Sequence, residues 1–310
     1  MGIIKNPSEI ELSGTIKMLI YGEPGVGKTS IALSAPSPVM LDFDGGVGRV
    51  NSVFHTDTAQ ITKWEDCLEF MAEDLSKYRT IVVDTAGKML DFMSDYIIRT
   101  NPKMGQRDGS LSQKGYGARK VMFVNFLGQL TLLGKHIVFV AHEREDKDGD
   151  LRFIRPEIGG SSSGDLIKEL DIVGFMSEVG TERTIQWSPT EKFYAKKPSF
   201  LPKSQVVPTI IDDKGAVTGK NLFLTELFLQ YSEYMNEQRK TGEAYKAVVD
   251  GCRKKIQDIE DETSAGKVAS EIASTEFIWD GRVAVRQMFA ERLKQLGLKY
   301  NPEKGKYEKV

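Results

Sequence analysis

The sequence has few cysteines and no long apolar run, and these absences exclude several classes of protein. Cys67 and Cys252 are the only cysteines among 310 residues, and neither lies in a CxxC pair or in another metal-ligand spacing. The sequence therefore predicts neither a disulfide framework nor a zinc site, and it fits a reducing compartment. No apolar run reaches the length of a membrane span, so no membrane contact is expected.

An excess of charge of one sign is also missing. Forty-two basic and 44 acidic side chains leave a formal net charge of −2. Any surface that attracts nucleic acid must therefore be local. The first residues, MGIIKNPSEIELSG, lack the apolar core of a secretion signal. Asn6 stands where a myristoylation signal requires Ser or Thr. The expected location is the cytoplasm.

Apolar runs that alternate with amphipathic stretches occupy the chain from Ile16 to Val179, a pattern typical of an α/β fold with a mostly parallel sheet. The pattern becomes helical from Leu222 onward, so we predict a core at residues 1–220 and a helical C-terminal region at residues 221–310. The charged end is expected to lack regular structure. The predicted strands are residues 17–21, 38–43, 80–84, 136–141 and 171–178. Long polar loops are predicted at residues 100–116 and 143–164, the second with a hairpin turn at Asp148-Gly149.

The segment GEPGVGKT matches the phosphate-binding pattern GxxxxGK[ST], between an apolar strand and a helix. Its glycines allow backbone N–H groups to turn toward phosphates, and the helix start adds a positive dipole end. Lys28 is predicted to neutralise the terminal phosphates, and Thr29 to offer its hydroxyl to Mg²⁺. No guanine-specific NKxD motif is present, so the expected ligand is ATP with Mg²⁺. The predicted nucleotide-binding residues are Gly22, Glu23, Pro24, Gly25, Val26, Gly27, Lys28, Thr29 and Ser30.

Acidic residues end two of the predicted strands. Asp84 follows the strand TIVV, where it is predicted to hold Mg²⁺ through water; the alternative is a cap for the next helix. Asp42 and Asp44 end the strand VMLDFD on one face. Hydrolysis needs a base or a water-orienting group, and we favour Asp44, with Asp42 second. The alternative is that both acids cap the turn at Gly45 and Gly46.

His142 follows the strand HIVFVA. A polar side chain at this strand end can contact the γ-phosphate and report its presence to the following segment. A histidine that only makes a hydrogen bond at the end of a strand is the alternative. The predicted catalytic set is therefore Lys28, Asp44, Asp84 and His142.

The segments KMLIYGEPGVGKTS, VMLDFD, YRTIVVDTAG and IVFVAHE together resemble the RecA-type ATPase core. More narrowly, the chain resembles phage-encoded nucleotide-binding proteins related to single-strand annealing proteins. The resemblance covers roughly residues 10–202. It implies a RecA-like core in which Asp44 replaces the usual catalytic Glu and His142 replaces the usual Gln sensor. It also implies a neighbouring subunit that offers Lys196 or Lys197 to ATP, and hence self-association.

The resemblance further places two DNA-binding loops at residues 100–116 and 143–164. The first contains clustered basic residues near an aromatic ring, which suits single-stranded DNA because cations follow the phosphates while a ring stacks on bases. A solvated loop and helix face explain the same residues equally well. The predicted DNA-binding residues are Lys103, Arg107, Lys114, Tyr116 and Arg119.

Three functions remain open from the sequence. The first is an ATPase that binds single-stranded DNA in phage recombination, annealing or replication. The second is a P-loop ATPase that switches or remodels a protein partner without binding DNA. The third is a nucleotide-dependent module without turnover, since Asp44 is shorter than the Glu it replaces.

Overall fold

The computed structural model describes residues 14–148, 151–159, 162–212 and 214–310. The described residues up to Tyr231 form one compact unit, and Ser232–Val310 form another. The predicted boundary at residues 220/221 precedes this division and stays a prediction. No helix in the described ranges combines the length and the apolarity needed to cross a bilayer.

The first unit is an α/β structure, and the apolar runs of the sequence form its strands. The strands are β1 (Lys17–Gly22), β2 (Pro38–Asp42), β3 (Thr58–Gln60), β4 (Thr80–Asp84), β5 (His136–Asp148), β6 (Leu151–Pro156), β7 (Ile172–Val179), β8 (Glu182–Gln186) and β9 (Ser204–Val206). The α-helices of the described residues that lie wholly in this unit are α1 (Lys28–Ala32), α2 (Trp64–Ala72), α3 (Ala86–Thr100), α4 (Gln113–Leu132) and α5 (Ser162–Glu169).

The strand order of the main sheet is β3-β2-β4-β5-β1-β7-β8-β9, and β6 pairs with β5. The pairings among β3, β2, β4, β5, β1 and β7 are parallel, whereas β8, β9 and β6 pair antiparallel. Parallel strands bring their carboxyl ends to one edge, where ligands bind in open α/β sheets. This arrangement confirms the predicted α/β core with a mostly parallel sheet, and the helices predicted for the C-terminal region are also present.

Strand β1 lies in the middle of the sheet, which explains its apolar sequence. Met18, Leu19, Ile20 and Tyr21 have no exposed surface. Consecutive residues of a strand point to opposite faces, so both faces of β1 are covered, as is typical of central parallel strands. The loop that follows β1 is therefore fixed to a rigid part of the core.

The two predicted long loops contain regular structure. Strand β5 continues far beyond residue 141 and pairs with β6 from Glu143↔Pro156 to Asp148↔Leu151. The hairpin agrees with the turn that the sequence predicts at Asp148-Gly149, of which Gly149 lies outside the described residues. The prediction of a loop was wrong over residues 143–148 and 151–156, which form the two strands of this hairpin and are polar because they extend beyond the sheet. Residues 149–150 and 160–161, which belong to the same predicted loop, lie outside the described residues.

The stretch at residues 100–116 is also ordered. A short 3₁₀ helix at Pro102–Met104 is followed by a bridge between Gly105 and Leu111. Ser112 caps α4 by accepting a hydrogen bond from the Gly115 N–H at 3.2 Å. The loop prediction was thus wrong at its end, where Lys114 and Tyr116 lie on the first turns of α4.

The C-terminal unit contains most of the long helix α6 (Phe223–Gln257), then α7 (Glu262–Ser274) and α8 (Gly281–Gln295). Its core includes Val249, Ile256 and Val285. The chain ends in a hairpin of β10 (Leu298–Asn301) and β11 (Lys306–Lys309), where the Tyr300 and Tyr307 rings lie 5.2 Å apart. The prediction of an irregular end was wrong, because cross-strand ring contacts stabilise the hairpin.

Gly174 in β7 allows close packing that a methyl group would disrupt. A Cβ atom at this position would lie 2.5 Å from Cζ3 of Trp187 and 2.7 Å from Cγ2 of Ile185, and both side chains are fully buried. We expect Gly174→Ala to lower the free energy of unfolding by about 1–3 kcal/mol through overpacking. Urea denaturation followed by circular dichroism measures the change.

Gly128→Ala provides the matched control for that substitution. Gly128 lies in the middle of α4, where an added Cβ meets nothing within 4 Å. The alanine should raise the free energy of unfolding by about 0.5–1 kcal/mol, because glycine loses more backbone entropy in a helix. A Gly174→Ala protein as stable as the unsubstituted protein would contradict the packing argument.

Candidate active site

The phosphate-binding loop connects β1 with α1 and has the backbone shape that its glycines allow. Gly25 has φ +84° and Gly27 has φ +98°, values that favour glycine over any residue with a Cβ. Gly22, at the end of β1, lies so close to β7 that a Cβ would stand 2.0 Å from the Met176 carbonyl oxygen. The backbone conformation at Gly25 and Gly27 and the close packing at Gly22 therefore require glycine at these three positions.

Lys28 lies inside the loop. Its Nζ donates hydrogen bonds to the carbonyl oxygens of Gly22 at 2.9 Å and Glu23 at 2.6 Å. Burial lowers the pKa of Lys28 to about 8, and the negative charges of Asp84, Glu143 and Glu23 offset part of that effect. A phosphate anion in the loop would favour the charged form of Lys28, and the charged ammonium would in turn attract the phosphate.

Thr29 and Asp84 form the second part of the site. The Thr29 hydroxyl donates a hydrogen bond to Oδ2 of Asp84 at 2.6 Å. The pKa of Asp84 is raised to about 6, mainly by burial. The hydrogen bond from Thr29 opposes this shift, and the negative charges of Asp42 and Asp44 add to it. A hydroxyl and a carboxylate in contact are hard oxygen ligands, and Mg²⁺ takes few protein ligands when phosphates and waters supply the rest. These residues fit the predicted metal.

Asp42 and Asp44 have different partners. Asp42 is almost fully buried and accepts backbone N–H bonds from Asp44, Gly46 and Val47 at 3.2, 2.9 and 3.2 Å. Asp42 therefore caps the turn at Gly45 and Gly46, the alternative to a catalytic role that the sequence left open for both acids. Asp44 is partly exposed, and its Oδ2 lies 2.6 Å from Nη2 of Arg49. Asp44 is the acid whose carboxylate remains accessible at this edge.

His142 lies beside the loop because β5 is the neighbour of β1 and pairs His142 with Gly22. Burial and the charge of Lys28 lower the pKa of His142, which favours the neutral imidazole. Its Nδ1 is buried and has no hydrogen-bond partner among the described residues. A neutral imidazole can donate one N–H, so a turn of the ring that exposes the unpartnered nitrogen would let it bind a phosphate oxygen beside Lys28.

Glu143 is a residue near the loop that sequence reasoning missed. Its Oε2 is buried without a hydrogen-bond partner in the described part of the chain. Burial and the nearby charge of Glu23 raise its pKa, while Lys28 lowers it. Glu143 begins a segment of alternating acidic and basic residues that follows His142. Nothing in the sequence of this segment distinguishes Glu143 from the charged residues of the hairpin that face solvent.

Comparison with known families decides the family of the chain. The family model described as AAA domain matches residues 15–199, which is more than half of the 310 residues. The chain belongs to the AAA domain family. The match contains the whole phosphate loop together with Asp84 and His142, so the P-loop ATPase core expected from the sequence is confirmed at the level of the family.

Two further comparisons accompany the AAA domain match. A KaiC-like protein from the hyperthermophilic archaeon Pyrococcus horikoshii OT3 is similar in structure, with a TM-score of 0.34 and 10% sequence identity. The similarity covers 56% of this chain and 78% of that one. No curated protein matches the chain.

The predicted DNA-binding residues of this AAA domain lie in two environments. Lys103, Arg107 and Lys114 are exposed, and within the described ranges none of them forms an ion pair. The Tyr116 ring is 48% exposed. Arg119, in contrast, is buried: its guanidinium donates to Ser94 Oγ at 3.2 Å and to the Gly159 carbonyl at 3.3 Å.

The two lysines predicted to act on a neighbouring subunit are bound within their own chain. Lys196 Nζ donates to the carbonyl of Leu170, and Lys197 Nζ donates to the carbonyl of Leu201 at 2.7 Å. The backbone of Lys196 also pairs with Val173. Because both ammonium groups are bound to carbonyl oxygens of their own chain, a contact with a second copy requires these hydrogen bonds to break.

Proposed function

We propose that this AAA domain binds ATP with Mg²⁺, hydrolyses it, and couples the reaction to single-stranded DNA in phage recombination, annealing or replication. The observation that supports nucleotide chemistry most directly is the Thr29–Asp84 hydrogen bond beside Lys28 in the phosphate loop. Glycines, an ammonium, a hydroxyl and a carboxylate converge at one point, as phosphoryl transfer requires. The proposed location is the cytoplasm, in the host cell if the protein is phage-encoded.

The site residues have separate roles in this proposal. Lys28 neutralises the terminal phosphates, and Thr29 and Asp84 hold the metal. When bound, Mg²⁺ supplies positive charge that stabilises the transferring phosphoryl group. Asp44 orients the attacking water and accepts its proton after its ion pair with Arg49 opens. His142 contacts the γ-phosphate through its ring nitrogen.

The DNA part of the proposal rests on one exposed surface, which we name the α4 cap: Lys103, Arg107, Lys114 and Tyr116. The three cations have no acidic partner among the described residues, whereas nearby Arg99 and Lys120 pair with Glu65 at 2.7 Å and Asp165 at 3.0 Å. Unpaired cations beside an exposed ring suit a single strand. Arg119 lies below this surface, with its guanidinium 5.0 Å from the Tyr116 ring centroid, and we assign it a supporting role.

A continuous path of contacts connects the α4 cap with the nucleotide site. The Glu157 N–H donates to the His142 carbonyl at 2.7 Å. Gly87, in the first turn of α3 after Asp84, lies so close to the Glu157 carbonyl oxygen that a Cβ would stand 2.6 Å from it. Gly159 then accepts the bond from Arg119. This continuity supports coupling, and the two ends must respond to each other if coupling exists.

Steady-state ATP turnover with and without single-stranded DNA tests the proposal. We expect Mg²⁺-dependent phosphate release that rises when DNA is added. Lys28→Ala should abolish both rates, because it removes the ammonium that neutralises the terminal phosphates. Turnover that is indifferent to DNA would overturn the DNA role and favour the second candidate, a P-loop ATPase acting on a protein partner. The absence of turnover would leave only nucleotide binding.

Self-association also belongs to the proposal. The resemblance to RecA-type cores predicts that neighbouring copies complete the ATP site through Lys196 or Lys197. Because both ammonium groups bind carbonyls of their own chain, we propose that assembly exchanges at least one of these bonds for a nucleotide contact. A monomer that hydrolyses ATP at full rate would contradict this role.

A further inference from the structure

A cavity of about 470 Å³ opens directly beside the phosphate loop. It begins at Gly25 and Ser30 and extends past Arg183 to residues 207–211 and 220–223. Phe54, from the segment between β2 and β3, also lines it. Every residue that lines the cavity belongs to the first unit. The cavity is therefore a feature of the ATPase core itself.

The walls of the cavity are fixed to the loop by hydrogen bonds. Asn221 Nδ2 donates to the Ser30 carbonyl at 2.6 Å, and the Leu224 N–H donates to Ser34 Oγ at 2.8 Å. These bonds hold residues 220–224 against α1, which starts at the loop. The distance between this wall and the phosphate loop is thus set by the fold.

Arg183 lies at the boundary between the loop and the cavity. A Cβ on Gly27 would stand 2.8 Å from its Nη1, so the guanidinium is packed on the loop. Its Nη2 donates to the Pro208 carbonyl at 3.3 Å. The side chain therefore connects the phosphate loop with the segment at residues 207–211. No acidic side chain forms an ion pair with it in the described ranges.

The strand order determines which end of a nucleotide faces this cavity. In the order β4-β5-β1-β7-β8, Asp84 and His142 lie on one side of β1, and Arg183 of β8 lies on the other. The residues that handle the metal and the terminal phosphate are on the β4 and β5 side. The opposite end of a nucleotide bound in the loop must then point toward β7 and β8, where the cavity lies.

The chemistry of the lining fits that end. Ile210, Phe223 and Phe54 offer apolar surface, and ligand sites typically combine such surface with a few placed polar groups. A planar base packs on aliphatic and aromatic side chains, while a guanidinium binds a phosphate or sugar oxygen. We propose that the cavity receives the nucleoside portion of the nucleotide, with Arg183 at the junction of ribose and α-phosphate. This assignment rests on the proposed function, because it needs the phosphates to occupy the loop.

Blocking the cavity tests the assignment. Thr209 lines it and is exposed, so Thr209→Trp places an indole there without disturbing the core. We expect the affinity for ATP, measured calorimetrically with Mg²⁺, to fall about tenfold, which corresponds to about 1.4 kcal/mol. The affinity for inorganic tripolyphosphate should stay unchanged, because it has no nucleoside. Arg183→Gln should also weaken ATP binding.

Thr190→Trp is the matched control, since Thr190 is exposed and is not among the residues that line the cavity. It should leave both affinities unchanged. Unchanged ATP affinity in Thr209→Trp, or an equal loss for ATP and tripolyphosphate, would overturn the assignment. An unsubstituted protein that binds tripolyphosphate as tightly as ATP would overturn it as well, while the phosphate loop keeps its role. If that protein binds neither, the proposed function itself fails.

Discussion

Asp84→Asn is expected to abolish most ATP turnover while making the nucleotide-free protein more stable. The amide oxygen of the asparagine can still accept the hydrogen bond from Thr29, so the geometry of the pair is kept. The neutral amide cannot balance the charge of Mg²⁺, which removes electrostatic stabilisation from the phosphoryl-transfer site. We expect turnover to fall on the order of 10²-fold, equivalent to about 2.7 kcal/mol of transition-state stabilisation.

The gain in stability follows from the direction of the pKa shift. Burial holds the pKa of Asp84 at about 6, above its usual value of 3.8. The folded state therefore binds a proton more readily than the unfolded state, and the buried charge costs stability above pH 6. That cost is relieved as the pH falls from 6 toward 3.8. Asparagine carries no charge, so Asp84→Asn should raise the melting temperature at pH 7.5 without metal or nucleotide.

Two measurements check this prediction, and they exclude a simple folding defect. Phosphate release as a function of Mg²⁺ concentration gives the loss of turnover, and differential scanning fluorimetry gives the melting temperature. Asp57→Asn is the matched control, because Asp57 is exposed and pairs with Lys77 at the surface. It should change turnover little. An Asp84→Asn protein that keeps half of the original turnover would contradict the assignment of Asp84 to the metal.

Neutralising the α4 cap is expected to remove the response to DNA while leaving basal turnover intact. The triple substitution of Lys103, Arg107 and Lys114 to Gln removes three exposed cations that have no acidic partner in the described ranges. Binding to single strands releases counterions from the phosphates, so affinity depends on salt in proportion to the contacts made. The slope of log affinity against log salt should become shallower by about 2 when three contacts are lost.

A second triple substitution separates a local contact from a general change of charge. Lys240, Lys246 and Lys267 are exposed on the helices of the C-terminal unit, and changing them to Gln alters the net charge equally. Fluorescence anisotropy of a labelled oligonucleotide at several salt concentrations measures both variants. The control should bind as the unsubstituted protein does. Equal losses in the two variants would show that the α4 cap is not the DNA surface.

The sequence determined the parts of the site that lie close together along the chain. The phosphate loop needs glycines, Lys28 and Thr29 at fixed spacing, with a strand before it and a helix after it, all of which are visible in a short segment. Asp84 could be predicted because a buried strand ending in an acid must deliver that acid to the edge where the loop lies. The structure brings Thr29 and Asp84 into contact accordingly.

Residues whose role depends on their surroundings could not be judged in this way. Arg119 has the same charge as Lys114 and lies five positions after it, yet Arg119 is buried against Gly159 and Lys114 is exposed. Lys196 and Lys197 likewise bind carbonyls of their own chain. Whether a cation faces solvent depends on which distant segment packs beside it, and charge patterning along the chain does not record that.

The roles of Asp42 and Arg183 also depend on contacts that the sequence does not record. The sequence favoured Asp44 over Asp42 as the base but left open that both acids cap the turn after β2. Only the turn geometry shows that Asp42 accepts three backbone N–H bonds while Asp44 stays accessible. Arg183 carries no motif, and only the position of β8 beside β7 brings it onto the phosphate loop. The sequence by itself therefore determined the phosphate-binding loop, because that loop is encoded in local spacing. The tertiary structure decided which charges are accessible, because packing between distant segments sets their exposure.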